Sequence, residues 1–201
     1  MKVLIDSKPI EIQSTPGASF AEFCASLLER LLQTNLSIKS CRLDGKILES
    51  MGDGEKIFNQ TSLVEVESVP LTVALQAVMA LRCAAIRRLE MDCEELVTES
   101  LIGEANAIYQ RWHALCGELK QQIQFIPHLG DFLASEQVDE ISTSRMETLA
   151  DIMNGCREAL GKADVVAFSD ILEMKLLPWL QKLRELVHGV LKQIESSENN
   201  K

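Results

Sequence analysis

The pattern of hydrophobic and polar positions changes period once along this chain, at Pro70. Before it, short runs alternate apolar with polar residues, the period of a half-buried strand. Val3 and Ile5, then Ile10 and Ile12, flank Ser7-Lys8-Pro9. They predict a β-hairpin with Pro9 at the turn, where no ladder donor is needed. Thr15-Pro16-Gly17-Ala18 breaks the pattern. Phe20, Phe23, Cys24, Leu27, Leu28, Leu31 and Leu32 then recur at the three-and-four spacing of an amphipathic helix. Ser19, with Glu22 three residues on, has the form of a capping box. A third strand is predicted from Ile38 to Leu43 and is stopped by Asp44-Gly45, a hairpin-turn dipeptide. Ile47-Leu48 is the short return. Residues 51–55 read as irregular loop, and Leu63-Val64-Glu65-Val66-Glu67 as a last strand with clean alternation.

The order strand, strand, helix, strand, short strand, strand resembles the β-grasp (ubiquitin-like) superfold in order and in length. The likeness covers residues 1–69 and is one of topology. Such superfolds host unrelated functions, so it implies a fold and no activity.

Beyond Pro70 the period is helical. Leu71, Ala74, Val78, Leu81, Ala85, Leu89, Cys93 and Leu96 form one stripe. Leu101, Ala105, Ile108, Trp112, Leu115, Leu119, Ile123 and Ile126 form a second. The break between them is expected near 98–103, by Gly103, although Asp92 with Glu95 offers an earlier start. Residues 127–131 close the second helix, and a loop is expected to about Val138. A third helix carries Met146, Leu149, Met153, Cys156 and Leu160. Gly161 suits its C-terminus and Asp164 the N-cap of the next helix. The last stripe is Val165, Phe168, Leu172, Leu176, Trp179, Leu183, Val187, Val190 and Ile194. Pro178 lies inside it, removes one backbone bond and is expected to kink it. The fold class expected is therefore α+β. A small β-grasp-like domain, 1–69, precedes an antiparallel four-helix bundle, 70–201.

Within the last helix pair, Asp164, Phe168, Asp170, Leu172, Glu173, Leu176, Pro178 and Leu180 stand at matching spacing to the run D-x-x-x-L-x-D-x-L-E-x-x-L-x-P-x-L. Phe168 replaces one Leu of that run. The segment from Leu149 to Leu186 is similar to the closing helix pair of an uncharacterised bacterial family. The resemblance implies an N-terminal β-grasp module, a C-terminal four-helix domain and no established activity. It singles out Asp170, Glu173, Pro178 and the adjoining Trp179 as an interaction or structural motif.

Composition narrows the function classes. The net charge is −10, and both parts share it: residues 1–70 hold 7 basic and 10 acidic side chains of the 20 and 30 in the chain. Arg82, Arg87 and Arg88 are followed at once by acidic residues, so the clustered basic surface that a phosphate backbone requires is not expected. No stretch approaches the ~20 apolar residues of a membrane span. The N-terminal run meets Asp6 after three apolar residues, too soon for an export signal. None of the six cysteines forms a C-x-x-C pair. A reduced, cytoplasmic protein follows.

Candidate chemistry is sparse. Glu185 and His188 have the Glu-x-x-His spacing of di-iron bundles, but neither His113 nor His128 supplies the second such motif. Gly155 to Lys162 resembles a phosphate loop with one residue too many and no preceding strand. No G-x-S-x-G elbow occurs. Six cysteines and three histidines leave Cys–His pairing to be decided in space, with buried cysteines the expectation. A ubiquitin-like modifier would need an exposed C-terminal Gly-Gly, and here the last strand runs through Ser68-Val69-Pro70 into a helix. No cofactor, metal or enzymatic activity is expected. The leading expectation is a protein-interaction module, an adaptor or chaperone. The alternatives are a small-molecule- or metal-binding bundle or enzyme, marked by buried inward-facing Glu, His or Arg, and a structural homodimer formed through the last helix.

Overall fold

The computed structural model describes residues 2–10, 19–48, 63–126 and 135–198, with the side chains of these residues except 135–147 and 197–198. The loops expected at 15–18 and 51–55, residues 127–131, and Ile12 lie outside the described residues, and the loop expected to about Val138 gives way sooner, to a helix that begins at Ser135. The architecture is mixed α+β, divided into two units, Met1–Ala77 and Val78–Lys201.

In the first unit β1 (Lys2–Ile5), β2 (Lys8–Ile10), β3 (Leu36–Leu43), β4 (Lys46–Ile47) and β5 (Leu63–Pro70) form one sheet in the order β2-β1-β5-β3-β4. Central β1 and β5 are parallel, and the other pairings are antiparallel. Register places Val3 and Leu43 opposite Val64, and Cys41 opposite Val66, which gathers the apolar positions on one face. Helix α1 (Phe20–Leu32) covers that face with Phe20, Phe23, Leu27 and Leu31. Burying each such side chain contributes roughly 1.5–3 kcal/mol. The expected capping box is present: Ser19 Oγ accepts from the Glu22 N–H at 3.2 Å, and the Glu22 carboxylate accepts from the Ser19 N–H at 2.8 Å.

The first hairpin turns earlier than expected. Ile5 pairs with Lys8, so the loop is Asp6-Ser7, at φ 48° and 66°. Pro9 lies within β2 opposite Leu4. Because β2 is an edge strand, the missing N–H costs no ladder bond. Asp6 ties this turn to β5: its carboxylate accepts from the Ser68 N–H at 2.8 Å and the Ser68 hydroxyl at 2.6 Å. Those bonds hold its carboxyl below the ordinary value. Asp44-Gly45 makes the expected turn, with φ 49° and 81°.

The C-terminal part is mostly helical, with α2 (Leu71–Ile102), α3 (Ala105–Ile123), α4 (Ser135–Gly161), α5 (Val165–Ile171) and α6 (Leu177–Glu198). Helix α2 runs without a break through Asp92 and Glu95 and ends at Ile102. Gly103 is required there, because an added Cβ would lie 2.7 Å from the Glu99 carbonyl oxygen. The expected α2 stripe is rotated at its start. Met79, Ile86, Leu89, Cys93 and Leu96 are buried, whereas Val78 and Leu81 are exposed. Residues 71–81 are apolar on nearly every side, so periodicity does not select a face there.

Helix α4 ends at Gly161, as expected, and the left-handed residue that follows is Ala163, at φ 55°. The Asp164 N–H closes the turn on the Ala159 carbonyl at 2.9 Å, and the Asp164 carboxylate then caps α5 through the Ala167 N–H at 3.0 Å. One residue thus ends one helix and starts the next. Beyond α5 the chain stays helical through Leu172–Leu176, which is a π-helical turn. The Leu177 N–H reaches back to the Leu172 carbonyl. That widening precedes Pro178, whose ring would otherwise press on the carbonyl four residues back. The apolar stripe survives the insertion, with Phe168, Leu172, Leu176, Trp179, Leu183, Val187, Val190 and Ile194 all buried.

Candidate functional site

Helices α3 and α4 leave a groove between them of about 470 Å³. From α3 it is lined by Tyr109, Trp112, His113 and Cys116, which recur at helical spacing and so share one face. From α4 come Met153, Asn154, Arg157 and Leu160. Trp112 is buried and meets Phe168 of α5 edge-on, with ring centroids 5.5 Å apart and planes at 89°. Tyr109 at the rim is 58% exposed. The Arg157 guanidinium donates to Asn154 Oδ1 at 3.0 Å. The volume lies within the range of small-molecule or side-chain pockets.

Two other cavities are more polar. One of about 220 Å³ between α2 and α3 includes Asp92, Arg111 and Glu118. Its Arg111 is held by Glu95 at 2.8 Å and by Glu99, and these carboxylates raise the guanidinium above its ordinary value. The other, about 350 Å³, lies on the sheet between Asp6, Arg42, Glu65 and Glu67.

Among the described residues, the side chains weighed for chemistry do not assemble into a reactive set. Cys116 lies in the groove three residues after His113, but burial pushes its thiol up to about 11. Burial likewise pushes Cys93 and Cys156 up to about 12. At neutral pH a thiol titrating near 11 is ionised in about one molecule in ten thousand, which disfavours nucleophilic attack. The buried Cys93 thiol donates instead to the Leu172 carbonyl, 3.8 Å away, at the π turn. Glu185 and His188 are both exposed on α6. Among the described residues no three His, Cys, Asp or Glu side chains converge on a point where a metal ion would sit.

Of the motif residues, Asp170 and Glu173 are exposed, Pro178 is half-buried and Trp179 is buried. None of the four lines the groove. Of the groove residues, the spacing picks out Trp112, Met153 and Leu160, as members of two helical stripes that predict a core. Buried polar groups are few and partnered. Glu90 on α2 accepts from Arg184 Nε of α6 at 2.8 Å. Gln122 on α3 accepts from Arg82 at 3.3 Å, and that guanidinium lies 4.7 Å from the Phe125 ring centroid. Among the described residues no buried side-chain nitrogen or oxygen lacks a hydrogen-bond partner.

No protein-family model, curated protein or solved structure matches this chain.

Proposed function

We propose that this chain is a non-enzymatic protein-interaction module, an adaptor or chaperone of the bacterial cytoplasm, which docks a partner in the groove between α3 and α4. In this reading the N-terminal unit is a β-grasp module. The strand order β2-β1-β5-β3-β4, with a parallel central pair and one covering helix, supports it. The helices of the second unit form an up-down four-helix bundle, with the α5–π–α6 run counted as one helix.

The observation that carries the functional reading is the groove itself: an apolar, aromatic-walled depression whose Trp112 packs edge-on against Phe168. Such surfaces are disfavoured in water unless something covers them. The largely aliphatic interior weighs against a catalytic core. The buried Glu90 is the feature expected of a polar-core enzyme, but Arg184 already satisfies it. The apolar stripe of the last helix is consumed within the chain, which weighs against a homodimer built on that stripe.

The test is affinity capture from native lysate with the full chain, Met153→Glu and Met174→Glu, alongside light scattering. Met174 is 70% exposed and outside the groove lining. One stoichiometric protein lost with Met153→Glu and kept with Met174→Glu supports the reading. A partner-free dimer, or a co-purifying metal or small molecule, refutes it.

A further inference from the structure

The groove pairs an apolar wall with the Arg157 cation, and that combination selects a type of occupant; the inference rests on the docking reading above. Tyr109, Trp112, Met153 and Leu160 offer aromatic and aliphatic surface on two helices. Arg157 lines the same cavity and, among the described residues, makes one side-chain hydrogen bond, to Asn154, with no carboxylate partner. A guanidinium carries five N–H donors, so the described residues take up only a small part of its capacity. Arg111 and Arg184 differ, being taken up by Glu95 with Glu99 and by Glu90. Among the described residues that line the groove none is Asp or Glu, although the chain carries a net charge of −10.

We propose that the groove receives a partner-protein segment in which a large apolar side chain stands beside a carboxylate. The apolar group lies against Trp112 and Met153, and the carboxylate takes the fork of Arg157, a geometry suited to two parallel hydrogen bonds. His113 on the facing helix adds a donor to the same lining. The charge of the whole chain repels acidic segments at long range, so a preference for them has to arise locally, from this groove.

The experiment titrates the ¹⁵N-labelled full chain with two blocked hexapeptides. One has Leu-Phe flanked on each side by two Glu, the other by two Lys. The two indole N–H signals, Trp112 and Trp179, are assigned with Trp112→Phe. The acidic peptide is expected to shift the Trp112 signal and to bind about tenfold tighter than the basic one. Arg157→Glu reverses that order, and Arg157→Gln abolishes the preference with the fold intact. Equal affinity, tighter binding of the basic peptide, or a response centred on Trp179 overturns the proposal. So does a Trp112 shift with free decanoate when neither peptide produces one, since the occupant is then a small apolar acid. Peptide selectivity without a groove-dependent partner in the lysate capture refutes the docking reading alone.

Discussion

Replacing Arg184 with Met isolates the energetics of the second unit. The Glu90 side chain is 9% exposed and that of Arg184 35%, with Nε and Oε1 2.8 Å apart. Removing one member of a fully buried pair costs about 3–5 kcal/mol, because the other charge is left without a partner. Here the arginine side stays in touch with water, which screens the pair. That screening reduces the cost of Arg184→Met to about 2 kcal/mol. Glu90→Leu costs less, about 1 kcal/mol, since Arg184 can turn outward to solvent. The double variant is expected within about 1 kcal/mol of the parent, giving a coupling of about 2 kcal/mol or more. Urea unfolding followed by tryptophan emission reads this directly, because Trp112 and Trp179 both lie in Val78–Lys201. A cost below about 0.5 kcal/mol for Arg184→Met, or strictly additive costs in the double variant, refutes the reasoning.

Three further outcomes follow. Asp6→Asn keeps a residue tolerant of positive φ but loses the carboxylate that Ser68 stabilises. Since the folded carboxyl titrates below 3.8, its contribution is present above that value and drains as pH falls through the lower one. The variant is therefore less stable at neutral pH and loses less on acidification, measured by amide exchange in β5. Ala163→Gly relieves a left-handed backbone at φ 55° and is expected to stabilise the second unit by about 1 kcal/mol in urea unfolding; a destabilised variant would contradict the strain argument. Phe168→Ala removes a fully buried ring and the edge contact to Trp112, costing about 3–5 kcal/mol and altering Trp112 emission.

The features legible in the chain were those decided between near neighbours. Ser19 and Glu22 cap α1 because both partners lie within one turn. Asp44-Gly45 makes its turn because those residues tolerate positive φ. The last helical stripe buries as its spacing requires. Where local signals were ambiguous, packing decided. Ser7-Lys8-Pro9 points to a turn at Pro9, but the pairing of Ile5 with Lys8 puts it at Asp6-Ser7. Gly161 ends α4 as its position suggests, while closure on Ala159 by Asp164 makes Ala163, two residues on, the left-handed one.

The sequence by itself determined the order of strands and helices, most of their ends and the residues available to a core, because periodicity, capping and turn chemistry act over a few positions. Tertiary structure alone decided which face of α2 is buried, since its first turns are apolar nearly all round. It also decided that Glu90 meets Arg184, 94 positions away. The groove belongs to the same class. Trp112 and Met153 look like core residues in their own helices, and only the packing of α3 beside α4 leaves them lining a cavity with Arg157. Such partnerships depend on where helices cross, and no short-range spacing encodes that.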